Sequence, residues 1–211
     1  MIETPDRYPH LPKSYKGAYP FKLATTSFIY PDDYIPNVKM LGPYFDEIEL
    51  LLFESIDIDT SFSGAVINEL ERLATELKID YDVHLPMDIS ISDQDTHNQQ
   101  HALKTLNQII ERVSPLAPST YCLHIPYNEA NFESHSIKKW HARVRSNLEK
   151  LLDTGIDAFR ITIENLGYPI DLIADIVLDL NFSICLDVGH LLHHGYDVAD
   201  AFNRYFSKIS V

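Results

Sequence analysis

Residues 120–165 read TYCLHIPYNEANFESHSIKKWHARVRSNLEKLLDTGIDAFRITIEN. A short apolar run, TYCLHIP (120–126), precedes a long stretch of helical period over 136–152, and a second apolar run, AFRITIEN (158–165), follows it. Gly155, just past Leu152, stands where a helix stops. Neither run alternates strictly between apolar and polar residues, as expected for strands covered on both faces in a parallel sheet. Strand, helix and strand in this order predict a βαβ unit.

The same alternation extends in both directions. KLATTSFIY (22–30) precedes a helix within 34–44, EIELLLFE (47–54) a helix over 63–77, and IDYDVHLP (79–86) a helix over 97–113. Beyond Asn165 come a helix over 169–178, the run FSICLDVGH (182–190) and a helix over 198–206. In INELERLATEL, the residues Ile67, Leu70, Leu73, Ala74 and Leu77 form one apolar stripe. Repeated βα units allow an open doubly wound sheet or a closed α/β barrel, the (β/α)8 TIM barrel. The turn after the first strand, TTSFIYPDDY, holds no Gly-x-Gly-x-x-Gly and no Gly-Lys-Ser, so the barrel is preferred. Residues 1–21, rich in tyrosine, proline and base from Arg7 to Phe21, predict an N-terminal arm, and 22–211 the barrel domain.

The chain has 211 residues, 45% hydrophobic and 23% charged, enough for one globular domain that buries roughly 70% of its unfolded surface. It has no apolar run of roughly 18 residues that could span a bilayer, and its start lacks a secretory signal, so the expected address is cytoplasmic. Two cysteines, Cys122 and Cys185, sit in apolar runs and read as small buried hydrophobes rather than a disulfide. A net charge of −14 disfavours a nucleic-acid partner, because phosphate-rich polymers are repelled.

Polar residues at the strand ends carry the chemistry. Glu54 closes the second run, His84 lies in DVHLP, His124 in CLHIP, Glu164 in ITIEN and Asp187 in CLDVGH. In a parallel barrel the C-terminal strand ends form the catalytic face, so these residues converge on one mouth. Strand alternation places Asp82 with His84, Cys122 with His124, Thr162 with Glu164, and Cys185 with Asp187 on shared sides. His190 turns back from the loop through Gly189. Imidazole and carboxylate donors together suit Zn, Mn or Fe. His97 and His101 have helical i, i+4 spacing but read as a solvated face. His193 and His194 line the mouth or lie on the loop surface. Tyr30 and Tyr127, with Tyr15, Tyr19 and Phe21 of the arm, either cover a planar ligand or pack. Trp140 fits a helix core face.

The ordered set His84, His124, Glu164 and Asp187-Val-Gly-His190 resembles the xylose-isomerase-like TIM barrel superfamily, which contains endonuclease IV and sugar isomerases and epimerases. His84 and His124, on two earlier strands, favour the phosphoester-cleaving endonuclease IV branch (AP endonuclease family 2). Residues 25–55, TTSFIYPDDYIPNVKMLGPYFDEIELLLFES, look more specifically like the cobamide-remodelling phosphodiesterases of that branch. Absence of a basic cluster beyond Lys138-Lys139 and Arg143/Arg145 points away from a DNA substrate.

The resemblance implies metal-dependent hydrolysis of a phosphodiester in the nucleotide loop of a cobamide, a small-molecule partner. It implies His84, His124, Glu164, Asp187 and His190 as ligands of divalent metal ions (Zn, Mn or Fe). Glu164 and Glu54 are the candidate catalytic carboxylates, Glu54 as ligand support or substrate contact, and Tyr30, Tyr127 and Asn165 are candidate substrate contacts. Two other functions stay open: a sugar isomerase or epimerase built around Glu164 and Asp187, and a non-catalytic binding remnant. Six units already fill residues 22 to about 207, and 208–211 read as the opening of a seventh strand. The chain is therefore expected to hold about three quarters of a barrel without the ligands of strands seven and eight, and to associate through exposed strand edges.

Overall fold

The computed structural model describes residues 8–55 and 58–211. Six parallel strands alternate with helices, giving six βα units, and the chain divides into two compact units. The first holds Met1–His84 with Ile109–Ser119, and the second Leu85–Gln108 with Thr120–Val211.

In the first unit, β1 (Ala24–Thr26), β2 (Glu47–Leu51) and β3 (Asp80–His84) pair in parallel and in chain order. The register sets Thr26 beside Glu49, and Glu49 beside Asp82. Along β2 the alternation is clear: Ile48 and Leu50 are fully buried, whereas Glu47, Glu49 and Leu51 on the opposite side are half-buried. Helix α1 (Tyr34–Leu41) and helix α3 (Gly64–Leu77) pack together, and α3 buries Ile67, Leu70 and Leu73, part of the predicted stripe. Ser63 caps α3 by accepting from the Val66 amide, and the Tyr81 hydroxyl of β3 donates to the Leu70 carbonyl at 2.9 Å. A short helix α2 (Ile58–Ser61), not foreseen in the sequence, precedes α3.

Residues 8–21 have no helix or strand, and residues 1–7 of the expected arm lie outside the described residues. Side chains fasten this stretch. Lys16 Nζ donates to the carbonyls of Gly42 at 2.9 Å and Leu77 at 2.8 Å, the helix ends where carbonyls lack intrahelical partners. Asp46 accepts from the amides of Gly17 and Leu23, and the Leu23 amide foremost holds its carboxyl below the usual value.

In the second unit, β4 (Tyr121–Leu123), β5 (Ile161–Glu164) and β6 (Ser183–Cys185) pair in parallel and in chain order. Helix α4 (Thr96–Val113) contains the boundary between the units. Helix α5 (Ser134–Leu152) buries Trp140, Val144, Leu148 and Leu151, and Gly155 turns the chain after it with φ of +87°. Trp140 is fully buried, and its indole donates to the Pro126 carbonyl at 3.1 Å. Helix α6 (Asp171–Asp179) buries Ile173, Ala174, Ile176 and Val177 before β6. Helices α7 (Val188–His193) and α8 (Val198–Tyr205) follow. Ile209 bridges Ile184 in parallel, and the Leu186 amide donates to the Val211 carbonyl at 2.8 Å, so the last residues lie alongside β6. Among the described residues, no helix is long and apolar enough to cross a membrane.

Candidate metal centre

The donors of the second unit gather around Glu164, the last residue of β5, which is buried. Its Oε2 lies 2.8 Å from His124 Nε2 and accepts from the Cys122 thiol at 3.2 Å. Both partners come from the β4 segment and reach one oxygen because they are two residues apart on the same side of the backbone, as alternation requires. The other carboxylate oxygen, Oε1, lies 3.3 Å from His190 Nδ1.

Asp187 and His190 complete this side. The apolar run from 182 predicts a sixth strand ending at or near Asp187, with His190 turning back from the loop through Gly189. In the structure β6 ends at Cys185 and Asp187 becomes the N-cap of α7, its Oδ1 accepting from the His190 amide at 2.6 Å. An Asp followed by a short helix is the ordinary cap arrangement, and it folds the His190 ring back toward Glu164. Ligand atoms of Glu164, Asp187 and His190 all lie within 4.8 Å of one another. Asn165 frames them: its amide nitrogen donates to the Asp187 carbonyl at 2.9 Å, and its own carbonyl meets His190 Nδ1 at 2.9 Å. Its Oδ1 is buried and has no hydrogen-bond partner.

These residues fit a divalent ion. The donor set mixes imidazole and carboxylate, the combination that suits zinc, manganese or iron. The orphaned Asn165 Oδ1 beside it marks a polar position that a bound group or its water satisfies.

The cysteines depart in part from the sequence reading. Cys122 is buried and donates to Glu164, but Cys185 is only half-buried. The neighbouring Cys185 thiol, then burial and the Glu164 carboxylate, push the Cys122 thiol well above its ordinary value. Alternation with His124 was the sequence signal for Cys122, although the identity of its partner depends on strand register.

In the first unit, His84 ends β3 and is buried, while Glu54 is exposed three residues beyond β2. Glu54 joins Phe28, Tyr34, Leu51, Leu52, Phe53, Ile58 and Ser61 around a cavity of about 200 Å³. Phe28 and Phe53 meet edge to face at 4.7 Å there. Neither phenylalanine was singled out from the sequence, although each lies just past a strand. Below this end, Asp82 is buried with an unpartnered Oδ1, and burial foremost, with Glu49 and Glu47, pushes its carboxyl up to about 8.

The candidate substrate tyrosines are engaged in packing. Tyr30 stacks on Tyr8 at 4.7 Å and donates to the Pro9 carbonyl at 2.8 Å. Tyr127 stacks on Phe132 at 4.5 Å and donates to the Asn131 carbonyl at 2.6 Å. His97 and His101 are exposed on α4, in keeping with a solvated face.

Serial βα units with imidazole and carboxylate side chains gathered at their strand ends define the α/β barrel class. The family model described as xylose isomerase-like TIM barrel matches residues 36–211, and the chain belongs to that family. Among solved structures it is similar to a D-tagatose 3-epimerase-like protein, at 18% identity and a TM-score of 0.71 over 90% of this chain and 73% of that one. The 3-keto-D-glucoside 4-epimerase YcjR from E. coli matches at 14% identity and a TM-score of 0.69, covering 90% and 76%. Endonuclease IV from Thermus thermophilus matches at 14% identity and a TM-score of 0.66, covering 88% and 72%. No curated protein matches the chain.

Proposed function

We propose that this protein is a metal-dependent phosphodiester hydrolase acting on the nucleotide loop of a cobamide. The observation that carries the reading is the Glu164 carboxylate shared between His124 on one oxygen and His190 on the other. Glu164 with these two imidazoles would hold divalent ions, which would supply the charge stabilisation that phosphoryl chemistry needs. In this reading His84, His124, Glu164, Asp187 and His190 are the ligands, as the resemblance implies, and endonuclease IV is among the structural neighbours.

Bound divalent ions would supply Lewis acidity, polarising a phosphate oxygen and making water a stronger acid. The chain's residues do the rest. Asn165 fixes Asp187 and His190 through its amide and its carbonyl. Glu164 holds its ligand partners in place through both carboxylate oxygens. Glu54, at the edge of the aromatic cavity, contacts the substrate. A DNA substrate is poorly served: Arg143 is paired with Glu129 at 2.5 Å and Arg145 with Asp179 at 2.6 Å.

A second reading, a sugar epimerase using Glu164 and Asp187, is favoured by the epimerases among the structural neighbours. Assays of metal-saturated protein with cobamides and with ketohexoses separate the two. Conversion of a ketohexose with cobamides left intact would replace the first reading by the second.

A further inference from the structure

We propose that Cys122 is a metal ligand, its thiolate binding a thiophilic divalent ion, zinc above all, together with Glu164 and His124. The inference rests on the metal-dependent reading and names donor chemistry that an all-carboxylate-and-imidazole site lacks.

The Cys122 thiol and His124 Nε2 converge on a single carboxylate oxygen, at 3.2 and 2.8 Å. The Cys122 thiol donates to that oxygen. A divalent ion at that oxygen would take the place of the thiol proton. Sulfur, nitrogen and oxygen around one ion favour zinc over magnesium or manganese, which prefer oxygen ligands. Binding would transfer the thiol proton to solvent, since the coordinating species is the thiolate.

Cobalt(II) reports on this directly, because cobalt–sulfur bonding adds an intense near-ultraviolet charge-transfer band to the visible d–d bands shared by all ligand sets. The protein titrated with cobalt should show both. Cys122→Ser should lose the charge-transfer band while keeping d–d bands, and Cys185→Ala should keep both. Visible bands without the charge-transfer band, or a band unchanged in Cys122→Ser, would overturn the assignment and leave the metal-dependent reading intact. No cobalt bands at all would overturn both. Should Cys122→Ser fail to fold, cadmium-113 NMR of the wild-type protein decides, since sulfur ligation shifts the resonance strongly downfield and its absence there would refute the proposal.

Discussion

His124 Nε2 lies 2.8 Å from Glu164 Oε2, joining an imidazole that follows β4 to the carboxylate that ends β5. Neighbouring parallel strands thus deliver two polar side chains to one point at their C-terminal ends, where a barrel of this kind places its chemistry. Replacing Glu164 by Gln keeps the shape and removes the charge shared by both groups of ligands. Zinc affinity, measured by equilibrium dialysis, is expected to fall by at least about 100-fold. Retention of wild-type affinity would show that the carboxylate is structural.

Asn165 acts through its neighbours. Asn165→Ala removes the hydrogen bond to the Asp187 carbonyl but not the one that its own backbone carbonyl accepts from His190. Metal affinity should fall by roughly 10-fold, the scale found when a ligand's outer support is lost. Thermal unfolding should show a loss of only about 1 kcal/mol. A variant that binds metal as the wild type does would remove Asn165 from the site.

Asp82 makes stability depend on pH. Its carboxyl is pushed up to about 8 in the folded protein, from an ordinary value of 3.8, chiefly by burial. Between those values the folded chain holds a proton that the unfolded chain releases, so stability falls as pH rises, by at most about 1.4 kcal/mol per pH unit from this group. Asp82→Asn should flatten this slope and raise stability at pH 8. Urea unfolding of metal-free protein in chelator at pH 5, 7 and 8 checks this, and parallel curves for the two proteins would contradict it.

Lys16 ties the N-terminal stretch to two helix ends through Gly42 and Leu77. Lys16→Met keeps most of the stem and removes both hydrogen bonds, which should cost about 1–3 kcal/mol in chemical unfolding. Unchanged stability would mean that water replaces the ammonium without loss.

Much of the architecture was legible because helical period and apolar runs are local signals. The α3 stripe through Ile67, Leu70 and Leu73 and the strand cores at 47–51 and 161–164 stand where the sequence placed them. Strand ends were less legible: Asp187 sits in an apolar run that reads as strand, but its capping bond to the His190 amide ends the strand and starts a helix. The meeting of His190 with Glu164 follows from that cap. What the sequence could not show was cross-strand partnership. Glu49 beside Asp82, and Cys122 at Glu164, depend on register, which a one-dimensional pattern constrains only to the choice of face. The aromatic cavity around Phe28 and Phe53 was equally hidden, because residues 25 positions apart line it together.

The most direct test of the hydrolase reading is incubation of zinc-loaded protein with several cobamides, followed by mass analysis of the corrinoid products. The account predicts cleavage across the phosphodiester of the nucleotide loop with uptake of one water, abolished by chelator and by Glu164→Gln. Intact cobamides at metal saturation, with every lower base tried, would contradict it.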